Sequence, residues 1–158
     1  MLIYDTMSAM GKTCSFFGHR SIIDDVSVKQ QLYEVVEELI VNQDVDTFLL
    51  GEMGDFEIIA GKVLNELKRS YPFIQRIEIL CFAEQLNRKS KIQSDGFDYL
   101  DELDLYKRRA RIIKRNQWVI DNSDILVFFV HSPYGGAYQS YLYAKKKKKD
   151  IINLTQLE

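Results

Sequence analysis

Two patterns of apolar residues alternate along the chain and predict its secondary structure. Short, almost continuous apolar runs without alternating polar positions are typical of strands covered on both faces, as in a parallel sheet. Such runs predict strands at Thr13–Phe17, Asp46–Leu50, Arg76–Phe82, Asp124–Val130 and Asp150–Leu154. Apolar residues spaced three or four positions apart predict helices between them, from Val28 to Ile40, Phe56 to Leu67, Tyr106 to Asp121 and Ala137 to Ala144.

This alternation of strands and helices predicts the fold class. A helix between two successive strands acts as a crossover, and such crossovers join parallel strands with a right-handed turn. The sequence therefore predicts an α/β protein with a mainly parallel sheet of about five strands and helices on both faces, which makes three layers.

Residues 84–105 interrupt the alternation. The segment is polar, contains one glycine and no proline, and its charges change from basic to acidic along the chain. A connection of this length is usually a functional lid or a mobile surface excursion, and we favour mobility. We therefore predict a leader at residues 1–12 and one domain at residues 13–158, with 84–105 as a variable excursion.

Length and composition limit the class of protein. A chain of 158 residues suits one domain with a single core. The 46% hydrophobic and 28% charged residues exclude a chain that is disordered throughout. No apolar run reaches the roughly 18 residues needed to cross a bilayer. The first residues also lack the basic and apolar regions of a secretory signal. We expect a cytoplasmic protein with no membrane partner.

No residue pattern in the sequence predicts a metal site or a phosphate loop. Cys14 and Cys81 lie in apolar runs and are expected to be reduced core thiols, and two cysteines alone do not define a metal site. The tripeptide Gly11–Lys12–Thr13 lacks the upstream glycine of a phosphate loop, since Thr6 stands in its place. It also precedes a predicted strand, whereas a phosphate loop follows one.

Glycine-bearing loops follow three of the predicted strands. They lie at Gly18–Arg20, Gly51–Asp55 and Pro133–Ala137. In an open parallel sheet, ligands bind beyond the carboxyl ends of the strands, where the strand order reverses. Glycines at the start of the last helix would let an anion approach its free N–H groups. If the first and fourth predicted strands are neighbours, Gly18–Arg20 would face Pro133–Ala137 across one crevice.

The polar residues of these loops leave alternatives open. Arg20 could bind phosphate oxygens through two donors or be a surface arginine. His19 could donate to a ligand, titrate or cap the strand end. Asp55 could cap a helix or bind a ribose hydroxyl. Arg115 or Asn116 could reach the crevice or pack elsewhere.

Four segments together carry a family resemblance. CSFFGHR, GEMGDFE, RNQWVIDNSDILVFFV and PYGGAYQSYLYAKKK resemble the YpsA-like group of the SLOG superfamily, and the resemblance extends from Thr13 to Leu154. It implies a Rossmann-like three-layer sandwich with a pocket for a nucleotide or nucleotide-derived ligand, whose identity stays unknown. The resemblance, extended to the rest of the last loop, implies the following ligand-binding residues: Gly18, His19, Arg20, Gly51, Gly54, Asp55, Arg115, Asn116, Pro133, Gly135, Gly136 and Ala137.

One branch of the superfamily suggests an enzymatic alternative. The cytokinin-activating phosphoribohydrolases carry a motif that resembles PGGxGTxxE, with a glutamate implicated in catalysis. The corresponding run here is PYGGAYQSY, in which Gln139 and Ser140 cannot act as carboxylate bases. A hydrolase would need Glu52, Asp55 or Glu57 as its carboxylate. The catalytic residues are therefore left unassigned.

Three functions remain open, and we favour the first. The first is binding or sensing of a small nucleotide-like ligand without turnover. The second is an N-glycosidic hydrolase. The third is association with nucleic acid, by analogy with the DNA-processing branch of the superfamily. Only the lysines at 145–149 support it, and we interpret these as a solvated face, while the net charge of −2 opposes it. Four tyrosines, Tyr134, Tyr138, Tyr141 and Tyr143, could form a homodimer surface or pack in the core.

Overall fold

The sheet of this protein has six strands, one more than the sequence pattern indicates. A computed structural model describes residues 11–158. The strands are β1 (Lys12–Gly18), β2 (Val45–Leu50), β3 (Gln75–Leu80), β4 (Gly96–Tyr99), β5 (Ile125–Phe129) and β6 (Asp150–Asn153). They are ordered β4-β3-β2-β1-β5-β6, and every neighbouring pair is parallel. The predicted Rossmann-like α/β fold is confirmed.

Helices cover both faces of the sheet. They are α1 (Asp25–Asn42), α2 (Asp55–Ser70), α3 (Arg108–Asp121) and α4 (Gly135–Lys146). The first two pack on one face and the last two on the other. Helix α1 begins at Asp25, three residues before Val28, where the predicted apolar pattern starts. It begins there because the Asp24 carboxylate caps it, accepting a hydrogen bond from the Ser27 backbone N–H at 3.1 Å.

Successive residues of β1 belong to different cores. Phe16 stacks on Phe48 on the α1–α2 face, with ring centroids 6.1 Å apart. Phe17 stacks on Phe128 on the α3–α4 face at 5.6 Å. Because both faces of the strand are buried, both sets of alternating positions must be apolar. This explains the continuous apolar runs of the sequence.

The extra strand, β4, lies inside the excursion at residues 84–105. It pairs with β3 at the edge of the sheet, and 3₁₀ turns at Ala83–Leu86 and Asp101–Leu105 flank it. Three apolar residues of the segment are buried, namely Ile92, Leu100 and Leu103. The sequence did not predict β4 because four residues that include glycine and aspartate carry little strand signal. The mobility of the excursion stays a prediction.

The predicted leader falls largely on residues 1–10, which lie outside the described residues. Lys12 already belongs to β1, and its backbone N–H donates to the Asp44 carbonyl at 2.8 Å. The tripeptide that begins at Gly11 therefore leads into a strand, as the interpretation against a phosphate loop requires.

The two cysteines lie in the two cores as predicted. Cys14 and Cys81 are buried and unpaired, and burial raises the pKa of both thiols. Among residues 11–158, no helix is long and apolar enough to cross a membrane. Within the same range, no group of three or more His, Cys, Asp or Glu side chains is placed to hold a metal ion.

The tyrosines of α4 pack mostly within the chain. Tyr141 meets the Phe128 ring edge-on, with centroids 5.3 Å apart, and Tyr138 stacks on Tyr141. The Tyr143 hydroxyl donates to the Asp121 carboxylate at 3.0 Å. Only Tyr134 of the four is exposed. These contacts favour the core interpretation for three tyrosines, and the homodimer stays a prediction.

Candidate functional site

The strand order reverses between β1 and β5. From β1 the chain builds the sheet outward through β2, β3 and β4, whereas β5 and β6 lie on the other side of β1. The pairing of β1 with β5 ends at Gly18 opposite Phe129. The loops after these two strands therefore leave the same edge of the sheet as neighbours. The sequence predicted a crevice here if the first and fourth predicted strands were neighbours, and the pairing of β1 with β5 meets that condition.

A cavity of about 450 Å³ lies at this edge, bounded by the loops after β1 and β2 and by α3 and α4. Eight of the twelve predicted binding residues line it: Gly18, His19, Arg20, Gly54, Asn116, Gly135, Gly136 and Ala137. The sequence did not single out four more lining residues, Phe17, Met53, Ile112 and Ser140. Ser140 follows Gly136 by four residues, and this spacing along one face of α4 is the signal that could have found it.

The other four predicted residues, Gly51, Asp55, Arg115 and Pro133, do not line the cavity. Gly51 is buried where a Cβ atom would collide with the Glu57 and Arg115 side chains. Pro133 is exposed. Whether any of the twelve residues binds a ligand stays a prediction.

Asp55 holds the loop after β1 against the first turn of α2. Its backbone N–H donates to the Arg20 carbonyl at 2.8 Å, and its carboxylate accepts from the Ile22 N–H at 2.9 Å. The N-cap of α2 is Gly54, one residue before Asp55. A Cβ atom on Gly54 would lie 2.9 Å from the Arg20 Cα, so only glycine permits this close approach. The pair of contacts fixes the backbone that carries Arg20.

His19 fastens the loop after β5 to the loop after β1. Its Nε2 accepts hydrogen bonds from the His131 N–H at 3.0 Å and the Ser132 N–H at 3.3 Å. The His19 backbone N–H donates to the Phe129 carbonyl at 3.2 Å. A ring nitrogen that accepts two N–H groups carries no proton, so the imidazole is neutral with its proton on Nδ1. Partial burial, together with the His131 ring 4.3 Å away, lowers the His19 pKa.

Arg20 and the start of α4 supply the positive potential of the cavity. The Arg20 side chain is exposed, and among residues 11–158 its guanidinium has no hydrogen-bond or ion-pair partner. Gly135 begins α4 with φ of 87°, a conformation that favours glycine. Apart from the adjoining residues and the backbone of α4 itself, no atom lies within 4 Å of a Cβ atom built on Gly135 or Gly136. An anion can therefore reach both the guanidinium and the first turn of the helix.

Arg115 lies behind the cavity as an internal support. Its side chain is only 4% exposed. The Nε donates to the Ile79 carbonyl at 3.2 Å and the Nη2 to the Leu50 carbonyl at 3.1 Å, which joins the ends of β3 and β2 to α3. Its Nη1 donates to the Asn116 side-chain oxygen at 3.1 Å. Arg115 thus orients Asn116, which does line the cavity.

Of the residues that the structure describes, Glu57 is the one acidic side chain that lines the cavity. Its Oε2 lies 3.9 Å from the Arg115 Nη2. Burial raises the Glu57 pKa, and the Arg115 charge and a hydrogen bond from the Met53 backbone partly oppose that rise. The sequence offered it only as a hydrolase alternative. Its position next to Phe56, at the start of the buried face of α2, is the signal that could have identified it as a cavity residue.

Glu52, the next carboxylate along this edge, is committed to the excursion. It forms an ion pair with Arg88 and accepts a hydrogen bond from the Lys91 N–H at 2.8 Å. The Ser90 hydroxyl donates to the Glu78 carboxylate at 2.9 Å. Glu52 therefore anchors residues 88–91 rather than the cavity wall.

Two known proteins are similar to this chain in sequence. The Bacillus subtilis protein YoqJ, described as an uncharacterized SPbeta prophage-derived protein, is 28% identical over 140 residues, which cover 77% of this chain and 82% of that protein. The UPF0398 protein BH1768 of Halalkalibacterium halodurans is 24% identical over 130 residues, which cover 77% of this chain and 66% of that protein.

A solved structure shows the same fold at low sequence identity. It is that of DNA processing protein A from Helicobacter pylori, described for its single-stranded DNA binding mode. It superposes with a TM-score of 0.59 and 17% identity, over 97% of this chain and 71% of that chain.

A family model named YpsA and described as the YspA SLOG family matches residues 21–157. This range includes α1 to α4 and every strand except β1. The resemblance that the motifs predicted is confirmed, and the chain belongs to the YpsA family of SLOG proteins.

Proposed function

We propose that the cavity between the loop after β1 and the start of α4 binds a phosphorylated nucleotide or nucleotide derivative. The observation that carries the proposal is the uncommitted Arg20 guanidinium beside the open first turn of α4, in one cavity at the reversal of strand order. Two independent donors of positive potential then act on the same anion.

The remaining walls suit a nucleoside better than a bare anion. Phe17, Met53 and Ile112 give apolar surface, whereas Asn116 and Ser140 give hydrogen-bonding groups. The volume of about 450 Å³ falls in the range of roughly 300 to 1,000 Å³ that small-molecule sites occupy. Membership of the SLOG family supports a nucleotide-like ligand at this position.

A thermal-shift and calorimetric screen with AMP, ADP-ribose and NAD tests the proposal. A probe at about one hundred times its dissociation constant raises the free energy of unfolding by about 2.7 kcal/mol, which corresponds to several degrees in Tm. Arg20→Gln should abolish the shift. Arg69→Gln is the matched control, because Arg69 is also exposed but lies in the last turn of α2, away from the cavity. A shift that survives Arg20→Gln, or no shift with any probe, contradicts the proposal.

Glu57 supports an N-glycosidic hydrolase as a second candidate. It lines the cavity, and burial raises its pKa, which is the direction that a general acid requires. The expected result is a free base released from a nucleoside monophosphate, detected by chromatography and lost in Glu57→Gln. Binding without product leaves the binding function and removes the hydrolase.

Association with nucleic acid is a third candidate, supported by the fold that this chain shares with DNA processing protein A. The cationic side chains of α3 and α4 would be its contact surface. A titration with a single-stranded oligonucleotide at several salt concentrations tests it, since phosphate contacts make affinity fall steeply with salt. Absence of salt-dependent affinity removes this candidate.

A further inference from the structure

The His19 ring connects the loop after β1 to the segment that leads into α4. His19 directly precedes Arg20 in the chain. Its Nε2 accepts hydrogen bonds from the backbone N–H groups of His131 and Ser132, at 3.0 and 3.3 Å. Ser132 lies three residues before Gly135, where α4 begins. We call the ring and these two N–H groups the His19 clasp. The clasp therefore joins the two elements that supply positive potential to the crevice, Arg20 and the first turn of α4.

Few other contacts of the described residues hold the segment between β5 and α4. At its start, the Asn153 side chain bonds the Val130 N–H and the Val130 carbonyl, at 3.1 and 2.9 Å. Beyond Val130, the Glu158 backbone N–H donates to the His131 carbonyl at 3.1 Å. Residues 133–134, the last two before α4, are exposed. The position of this segment therefore depends largely on the clasp.

The clasp requires an uncharged His19 ring. A neutral imidazole accepts at one nitrogen and donates at the other, whereas an imidazolium donates at both. A proton on Nε2 would point at the two N–H groups that this nitrogen accepts, so both hydrogen bonds would be lost. Protonation of His19 and formation of the clasp therefore exclude each other.

The titratable and charged neighbours of His19 come from four segments. They are Arg20 beside it, His131 on the loop after β5, Asp55 and Glu57 on α2, and Glu158, whose backbone bonds His131. Of the described residues of α3 and α4, those that line this cavity are not ionisable. The Asp55 carboxylate is bonded to the Ile22 N–H, and Glu57 lies 3.9 Å from the Arg115 guanidinium. Partial burial and, after it, the charge of His131 lower the His19 pKa.

We propose that His19 is a positioning residue whose protonation opens the crevice. Neutral His19 holds the segment before α4, and with it the first turn of the helix, in the ligand-binding position. Protonated His19 releases the segment from the loop after β1, so that Arg20 and the first turn of α4 no longer act on the same anion. Ligand affinity then falls in mild acid. The loss of affinity rests on the proposed function, whereas the release of the segment does not.

A direct contact between His19 and the ligand would have the opposite sign. His19 lines the cavity, and an imidazolium in contact with an anion would bind it more tightly as the pH falls. The nitrogen that would gain the proton, however, faces the two N–H groups of the loop. We therefore expect release of the segment to outweigh the added attraction. The direction of the pH dependence separates the two roles.

Nuclear magnetic resonance of the protein without ligand, between pH 7.5 and pH 5, tests the clasp. At pH 7.5 the ring-nitrogen shifts of His19 should show the proton on Nδ1. Below pH 6.5, the ordinary pKa of histidine, the amide signals of Gly135 and Gly136 should move with the same midpoint as the His19 ring. His19→Gln should abolish that midpoint, because a glutamine amide accepts hydrogen bonds without titrating.

The control is His131→Gln, which removes the neighbouring ring and keeps the backbone N–H of the clasp. It should keep the transition at Gly135 and Gly136 and raise its midpoint, since the charge of His131 contributes to the lowered His19 pKa. A His19 ring that titrates without any change at these glycines would overturn the proposal, as would a proton on Nε2 at pH 7.5.

Calorimetry with ADP-ribose at the same pH values tests the effect on binding. ADP-ribose is the probe because its diphosphate keeps its charge over this range, whereas a phosphate monoester titrates near pH 6. We expect about tenfold weaker binding at pH 5 than at pH 7.5, and by linkage bound ADP-ribose should lower the midpoint of the His19 ring. In His19→Gln the affinity should change by less than about twofold over the same range.

Three results of the binding experiment decide against all or part of the proposal. Tighter binding at pH 5 would make His19 a direct contact of the anion and overturn the proposal. A pH dependence that is the same in His19→Gln would also overturn it. No binding at any pH, together with the transition at Gly135 and Gly136, would overturn the proposed function and the effect on affinity but confirm the release of the segment.

Discussion

Two regions at the carboxyl edge of the sheet differ in how their charged side chains are buried and paired. Beyond β2 and β3, Arg115 and Glu52 are almost completely buried, and each has several partners within the chain. Beyond β1 and β5, Arg20 is exposed and has no partner among residues 11–158, and the start of α4 is open. Burying a charge is tolerated only when it is paired, so the first region serves the fold. An uncommitted cation at a cavity wall stays free for a ligand.

Removing the buried Arg115 guanidinium should give the largest difference in stability between the two regions. Arg115→Met leaves the Ile79 and Leu50 carbonyls without their donors and Glu57 without its nearest cation. We expect a loss of about 3 to 5 kcal/mol in the free energy of unfolding, as for other buried pairs that lose one partner. Urea unfolding measures it. Arg20→Gln in the same assay should change stability by less than about 0.5 kcal/mol, and similar losses for both variants would remove the distinction between the regions.

Two glycine substitutions separate stability from binding. In Gly54→Ala, the methyl group would lie 2.9 Å from the Arg20 Cα, so the loop must move, at a cost of about 1 to 3 kcal/mol. Gly136→Ala meets no atom within 4 Å, and stability should stay the same or rise by about 0.4 to 1 kcal/mol.

The methyl group of Gly136→Ala should nevertheless weaken binding of a nucleotide probe, because it lies where an anion would approach α4. Thermal unfolding with and without ADP-ribose measures both effects. Unchanged affinity in Gly136→Ala would argue against an anion at this helix.

The His19 pKa predicts how stability depends on pH. Because this pKa is lowered in the folded protein, the unfolded chain binds a proton more readily. The contribution of His19 is fully present above its ordinary pKa of 6.5 and is lost as the pH falls through and below that value.

Unfolding followed between pH 7.5 and pH 5 should show this loss in the native protein. In His19→Gln the loss should be smaller, because a glutamine oxygen can still accept the His131 N–H but does not titrate over this range. His131→Gln should leave part of the loss, because burial, the larger cause of the lowered His19 pKa, remains. An identical pH dependence in His19→Gln and the native protein would show that His19 does not titrate as the contacts require.

The smallest expected effect concerns the excursion. Arg88 is about half exposed, so Arg88→Gln should cost less than about 1 kcal/mol. Amide hydrogen exchange in residues 84–105 should nevertheless become faster, since an anchor of that segment is lost. Exchange at α3 should not change. Fast exchange throughout the excursion already in the native protein would support the predicted mobility and reduce the role of the Glu52 anchor.

The crevice residues could be predicted because each loop carries local signals. Gly18–Arg20 directly follows an apolar run, and Gly135–Ala137 stands at the predicted start of a helix, so the glycines mark the ends of elements. Glu57 and Ser140 were not singled out as binding residues, since a lone polar residue on a helix does not tell which cavity it faces. The roles of Asp55 and Arg115 were also left open, because their backbone partners lie 33 to 65 residues away in sequence.

The sequence by itself determined the α/β class, the helix positions and five of the six strands, because apolar periodicity and glycine signals act over a few neighbouring residues. Only the tertiary structure decided that β1 and β5 are neighbours, that β4 extends the sheet, and which charged side chains stay uncommitted. Strand order and charge pairing depend on contacts between distant segments, which a local pattern does not contain. The division between Arg115 as a support and Arg20 as an open cation is therefore a property of the folded chain.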